Sequence, residues 1–84
     1  MNDGIDNEFQ NCVRKVNNMK SKIMYDDFIV IYGLYKQALF GNNIVDKPYW
    51  FFFHKVAKWN SWKRHIGKTK NDAKKTYINI VNLI

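Results

Sequence analysis

Apolar residues recur along this chain at spacings of three and four, the period of a helix with one buried face. The first stripe, Phe9, Cys12, Val13, Val16 and Met19, predicts a helix over about residues 7–19. A basic stretch, Lys20-Ser21-Lys22, follows it. Asp26 and Asp27 then stand where the positive end of a helix dipole favours carboxylates. Phe28, Ile31, Tyr32, Tyr35, Ala38 and Leu39 form the second stripe, predicting a helix over about residues 25–40 that Gly41-Asn42-Asn43 closes. The β-branched run Ile29, Val30, Ile31 would also suit a strand, but the helical period persists for about four turns, which favours the helix.

Residues 42–54 have no usable period, contain the only proline, Pro48, and carry the aromatic run Tyr49-Trp50-Phe51-Phe52-Phe53. A connection of this length is usually functional or packed by its own side chains. Five consecutive aromatics are costly to leave in water, so most are expected to fold over the bundle as a lid on its core. A third helix over about residues 54–66 places Trp59, Trp62 and Ile66 on one stripe, with Lys55 at its edge. Lys58 lies about 75° further round. Gly67 ends that helix, and Thr69, three residues before Asp72, has the spacing of a capping box. Ala73, Tyr77, Ile80, Val81 and Ile84 then give the fourth stripe.

Four amphipathic helices with no strand signal and no repeat indicate an all-α four-helix bundle, read as a single domain over residues 1–84. The long link between the second and third helices can cross the whole bundle, so those two need not be antiparallel neighbours.

Charge divides unevenly. Residues 1–46 hold five Lys/Arg against six Asp/Glu, whereas residues 47–84 hold nine against Asp72 alone. A cationic half points to an anionic partner, whether nucleic acid, lipid headgroup or phosphorylated small molecule. The longest stretch free of charged and amide side chains, Phe28 to Tyr35, is far short of the roughly 18 residues that span a bilayer. The polar, acidic start of the chain lacks the pattern of a signal peptide, and the lone Cys12 has no disulfide partner within the chain. A reduced, cytoplasmic protein is the expectation.

Catalytic chemistry is not apparent. The carboxylates cluster near the N-terminus and at helix starts, the glycines are isolated, and His54 and His65 are about three turns apart, too far to share a metal. No enzyme, no metal and no cofactor is expected. What stands out is Tyr32-Gly-Leu-Tyr-Lys-Gln, where Tyr32, Tyr35 and Lys36 put two phenols and an ammonium along one side of a helix, suited to a planar anionic ligand.

The run from Tyr32 to Ala38, then Gly41, Lys47-Pro48, Ala57-Lys58-Trp59-Asn-Ser-Trp62, Gly67, Ala73 and Tyr77-Ile78, resembles the acyl-CoA-binding protein family from about Phe9 onward. The resemblance implies an up-down-down-up four-helix bundle that binds long-chain fatty acyl-CoA and carries it without catalysis. It also implies that Tyr32, Lys36 and Lys58 hold the 3′-phosphate of the CoA ribose, that Tyr35 lies against adenine, and that Tyr77 completes the site. Gly33 and Leu34 belong to the same contacting stretch, and residues 9–13 would shelter the acyl chain. Asn17 and His54 stand where many members carry lysine and complete the ligand set. Val56 occupies a commonly basic position, and Tyr49 follows Pro48 where glycine is usual. Lys22, Lys55 and Arg14 are the cations available to replace the missing accessory contacts. The implied ligand is long-chain acyl-CoA, the implied state a monomer, and transient contact with a membrane or an acyl-CoA-using enzyme is compatible with the charge. The competing reading is a small basic helical nucleic-acid-binding module, although Trp50, Trp59 and Trp62 are unevenly spaced and Arg64 is the only arginine of the basic half.

Overall fold

The computed structural model describes residues 3–84; Met1 and Asn2, the first positions of the polar N-terminal stretch, lie outside the described residues. Four helices follow one another: α1 (Asp3–Asn18), α2 (Tyr25–Phe40), α3 (Phe53–Lys63) and α4 (Lys70–Leu83), with a short 3-10 turn at Lys20–Lys22. There is no strand among the described residues. The second helix has the bounds its apolar period predicts, with Asp26 and Asp27 in its first turn. Gly41 stops it with φ of 78°, a backbone state that costs glycine little.

Helix α1 begins about a turn earlier than its apolar stripe suggests, because Ile5 also packs against the core. Helix α3 is shorter than its pattern. Past Lys63 the chain tightens, with His65 N–H donating to the Trp62 carbonyl and Ile66 N–H to that of Lys63, at 3.1 and 3.2 Å. Ile66 therefore leaves the Trp59–Trp62 stripe and is exposed. Thr69 caps α4 by accepting from the Asp72 N–H at 3.0 Å, one half of the capping box its spacing predicts.

The helices form a single row in the order α3, α2, α4, α1, since α2 packs on both α3 and α4 and α4 also packs on α1. The molecule is correspondingly flat, 40 × 30 × 15 Å. Contacts along the seams give the directions. Tyr25 meets His54, Tyr32 meets Lys58 and Phe40 meets Trp62, so α2 and α3 are parallel. Asp6 pairs with Lys74 at 2.7 Å and Lys15 reaches the Val81 carbonyl at 3.5 Å, so α1 and α4 are parallel too. Gln37 bonds the Lys68 carbonyl while Tyr35 meets Tyr77, which makes α2 and α4 antiparallel. This is the up-down-down-up order.

The core lies where α1, α2 and α4 meet, around Phe9, Ile31, Leu34, Tyr77 and Val81. Parallel neighbours need a long return, and residues 41–52 supply it. Hydrogen bonds tie that link down: Trp62 Nε1 donates to the Gly41 carbonyl at 2.8 Å and Trp59 Nε1 to the Val45 carbonyl at 2.7 Å. Buried Asn43 donates to the Trp59 carbonyl at 3.2 Å and accepts from the Val45 N–H at 2.9 Å. Two of the three tryptophans thus fasten the link rather than offering stacking faces.

The aromatic run does not form the expected lid. Tyr49, Trp50, Phe51, Phe52 and Phe53 are all exposed, and none belongs to the core or packs against it. The first four meet one another instead, Tyr49 parallel to Phe51 and Trp50 edge-on to it, both at 5.7 Å, and Phe51 against Phe52 at 4.7 Å. The bends that return the chain to α3 put these side chains on the outside, and self-stacking hides only part of their surface.

Candidate functional site

A row of helices has two faces, and a cavity that touches both edge helices must lie across one of them. A cavity of about 280 Å³ does so. Helix α1 contributes Val13, Val16 and Asn17; α2 contributes Phe28, Ile31, Tyr32 and Tyr35. Lys58 comes from α3, Tyr77 from α4, and Lys20 from the turn after α1. The α2 residues are spaced at three and four, so a single stripe of that helix lines one wall.

The wall chemistry is divided. Valine, isoleucine and phenylalanine give an apolar surface, while three phenols, two ammoniums and an amide give donors for an anion. Lys58 Nζ sits 5.3 Å above the Tyr32 ring, so a cation and a phenol are already neighbours across the α2/α3 seam. Phe9 stacks beneath the aromatic wall, 6.2 Å from Tyr35 and 5.0 Å from Tyr77, holding both rings in place.

Burial pushes the Tyr77 phenol up to about 12, with Cys12 and Tyr35 adding to the effect, and burial raises Tyr32 as well, aided by Tyr35. Both are therefore protonated donors near neutral pH. Because the folded value for Tyr77 lies above the ordinary 10, the unfolded chain releases this proton first as pH rises. Its contribution to stability is complete below pH 10 and is lost between about 10 and 12. Urea midpoints measured from pH 9 to 11 should fall less steeply for Tyr77→Phe than for the parent chain; identical slopes would show that Tyr77 is not the group responsible.

A second hollow, of about 400 Å³, shares Lys20 and Phe28 with the first and runs on past Ile23 to Tyr25. There the Tyr25 hydroxyl meets His54 Nδ1 at 2.8 Å. His54 therefore stands at the far end of a continuous groove, beside it rather than within the main cavity.

Of the residues singled out in the sequence, Asn17, Tyr32, Tyr35, Lys58 and Tyr77 line one cavity. Lys36 does not. Its ammonium sits 4.5 Å from the Phe40 ring and 5.0 Å from the Trp62 ring, one turn beyond Tyr32 on the same seam. Gly33 and Leu34 face inward: Leu34 is wholly buried in the core and Gly33 lies against Ser61, and neither lines the cavity. Phe9 and Cys12 are likewise core residues, leaving Val13 as the part of residues 9–13 on the cavity wall. None of Lys22, Lys55 and Arg14 lines it; Lys20 does. Val16, Phe28 and Ile31 belong to the apolar stripes but not to the ligand set the resemblance implies, and Lys20 reaches the cavity from the turn beyond α1, where no helical period points to it.

No group of three or more potential metal ligands occurs among the described residues, and no helix there is long and apolar enough to cross a membrane.

The family model for acyl-CoA-binding protein matches residues 6–81. Among similar proteins are "Acyl-CoA-binding protein 2" of Saccharomyces pastorianus, 40% identical over 77 residues, covering 90% of this chain and 88% of that protein, and "Acyl-CoA-binding domain-containing protein 6" of Arabidopsis thaliana, 37% identical over 75 residues, covering 89% and 82%. The crystal structure of Oryza sativa acyl-CoA-binding protein 2 superimposes with a TM-score of 0.89 at 34% identity, covering 95% of this chain and 87% of that one. With its helix order, its cavity and these matches in agreement, the chain belongs to the acyl-CoA-binding protein family.

Proposed function

We propose that residues 1–84 act as one acyl-CoA-binding domain, which binds long-chain fatty acyl-CoA esters and carries or buffers them in the cytoplasm as a monomer, without catalysing a reaction on them. The observation that carries this reading is the divided cavity: phenols and Lys58 stand on the same walls as Val13, Val16, Phe28 and Ile31. An acyl-CoA calls for both kinds of wall, donors for its anionic nucleotide and an apolar surface for its hydrocarbon. Ligand pockets commonly enclose roughly 300–1,000 Å³. A cavity of about 280 Å³ is thus at the small end, and a ligand of this length would continue into the adjoining hollow.

In this reading the ribose 3′-phosphate is held by Lys58 and Tyr32, with Lys36 one turn on. Seated over two rings, the Lys36 ammonium still has N–H groups to give, since an ammonium carries three donors. Tyr35 offers adenine a flat face, and Tyr77 donates from the floor. Asn17 and Lys20 serve the polar part of the ligand from α1 and its following turn, and His54 from the far end of the groove.

Charge-assisted hydrogen bonds contribute about 1.5–3 kcal/mol each, roughly ten- to a hundredfold in affinity. Lys58→Ala and Lys36→Ala should each weaken binding of a long-chain acyl-CoA by about that factor. The same variants should bind the analogue lacking the 3′-phosphate nearly as well as the parent does. Isothermal calorimetry on both ligands decides; equal losses on the two would remove the phosphate contact.

A further inference from the structure

The aromatic run is the largest apolar feature that the cavity does not use. Tyr49 is 72% exposed, Trp50 76% and Phe53 70%, and Ile44 and Val45 add to the same link. Scattered exposed apolar residues are ordinary, whereas five consecutive exposed aromatics are a patch of the kind that marks an interaction surface. Trp50 stands edge-on to Phe51 at 5.7 Å, which builds a ridge instead of a groove. Tyr49, Trp50 and Phe53 are the most exposed of the five, and Phe51 and Phe52 are about half exposed.

Charge narrows the choice of partner. Residues 47–63 contain Lys47, Lys55, Lys58 and Lys63 and no acidic residue. Lys55 Nζ lies 4.9 Å from the Phe52 ring, at the base of the ridge. Tryptophan, tyrosine and phenylalanine with lysines beside them match the headgroup region of an anionic bilayer, where rings enter the boundary and ammoniums meet lipid phosphates. The ridge also runs directly into His54, which bonds Tyr25 at the end of the groove.

We propose that residues 49–53 are an interfacial anchor that seats this protein on anionic lipid surfaces, the rings entering the headgroup boundary and Lys47 and Lys55 engaging lipid phosphates. On the bilayer, the Tyr25–His54 end of the groove faces the lipid. The use of this placement to load an acyl chain rests on the acyl-CoA reading above, whereas insertion of the ridge does not.

The test uses the whole chain without acyl-CoA, on vesicles of phosphatidylcholine alone or mixed with phosphatidylserine. The protein should sediment with the mixed vesicles, and lipids brominated near the headgroup should quench its tryptophan fluorescence. The triple variant Trp50→Ser/Phe51→Ser/Phe53→Ser, altered only at exposed positions, should bind mixed vesicles about tenfold more weakly. Unchanged binding by that variant would mean that lysines alone hold the surface and would overturn the anchor. So would failure of the parent chain to bind mixed vesicles. A parent chain that is dimeric by sedimentation velocity, with a monomeric triple variant, would assign the ridge to a second copy and also overturn it. Calorimetry with acyl-CoA in the absence of vesicles separates the two readings: the variant should bind as the parent does, and a parent that binds no acyl-CoA defeats carriage while leaving the anchor intact.

Discussion

Affinity for CoA esters should climb by orders of magnitude from free CoA through short acyl chains to palmitoyl-CoA. Each methylene moved from water onto an apolar wall contributes up to about 0.8 kcal/mol, so the roughly 14 methylenes of a 16-carbon chain set a ceiling near 11 kcal/mol before ordering costs. The walls available for this are Val13 and Val16 on α1 and Phe28 and Ile31 on α2. Because the cavity is open and part of the tail remains in contact with water, about half the full value per methylene is a fair expectation, and eight added methylenes then give roughly 3 kcal/mol, more than a hundredfold. A calorimetric series from free CoA through butyryl- and octanoyl- to palmitoyl-CoA measures the slope. A flat series would show that the hydrocarbon stays outside, and carriage of long acyl chains would fall with it.

Replacing Gly33 by alanine should destabilise the fold by about 1–3 kcal/mol, even though alanine is the better helix former by about 1 kcal/mol. A methyl group at this position would overlap the Oγ, the carbonyl oxygen and the carbonyl carbon of Ser61. Two of those three are backbone atoms, so no rotation of the serine side chain relieves the overlap, and α3 has to move away from α2. The displacement would also break the 2.6 Å bond from Ser61 Oγ to the Ile29 carbonyl and part Lys58 from Tyr32. Urea unfolding gives the stability change, and a CoA titration on the folded variant should show weakened binding beside it. Ser61→Gly added to Gly33→Ala should restore only part of the loss. Full recovery would mean that the side chain alone is in conflict, and a gain in stability from Gly33→Ala would mean that the two helices do not approach closely here.

How far the sequence could be read depended on what each pattern constrains. Helix α2 was legible at both ends because its period is long, two carboxylates open it and a glycine at positive φ closes it. The Thr69 cap was legible for a similar local reason. The gathering of Tyr32, Tyr35, Lys58, Tyr77 and Asn17 around one cavity was accessible through the family pattern, since α1, α3 and α4 are distant from α2 in the chain. Lys36 shows where the pattern ran out. Helical spacing puts it beside Tyr32, but a four-carbon stem can turn either way, and the rings of Phe40 and Trp62 draw it along the seam. Gly33 and Leu34 lie within the same run yet turn to the other side of α2, which is spent on Ser61 and the core.

The aromatic run was misread for a general reason. Hydrophobicity favours leaving water, but it does not specify whether the rings cover a core or only one another. Val16 and Ile31 show the complementary difficulty, since each is buried in the core and also borders the cavity. An amphipathic stripe looks the same whether the space it faces holds another helix or is left open.

Helices α1 and α3 stand at opposite edges of the row and share no packed interface, yet both contribute walls to the cavity. Whatever occupies it supplies the contact between those edges that the polypeptide itself does not make. Occupancy thus acts as a clamp across the width of the row, and since the unfolded chain has no such cavity, the clamp adds RT ln(1 + [L]/Kd) to the free energy of unfolding. The flat arrangement of helices makes cargo and cohesion the same quantity: the tighter a molecule is held, the more the protein becomes a closed bundle.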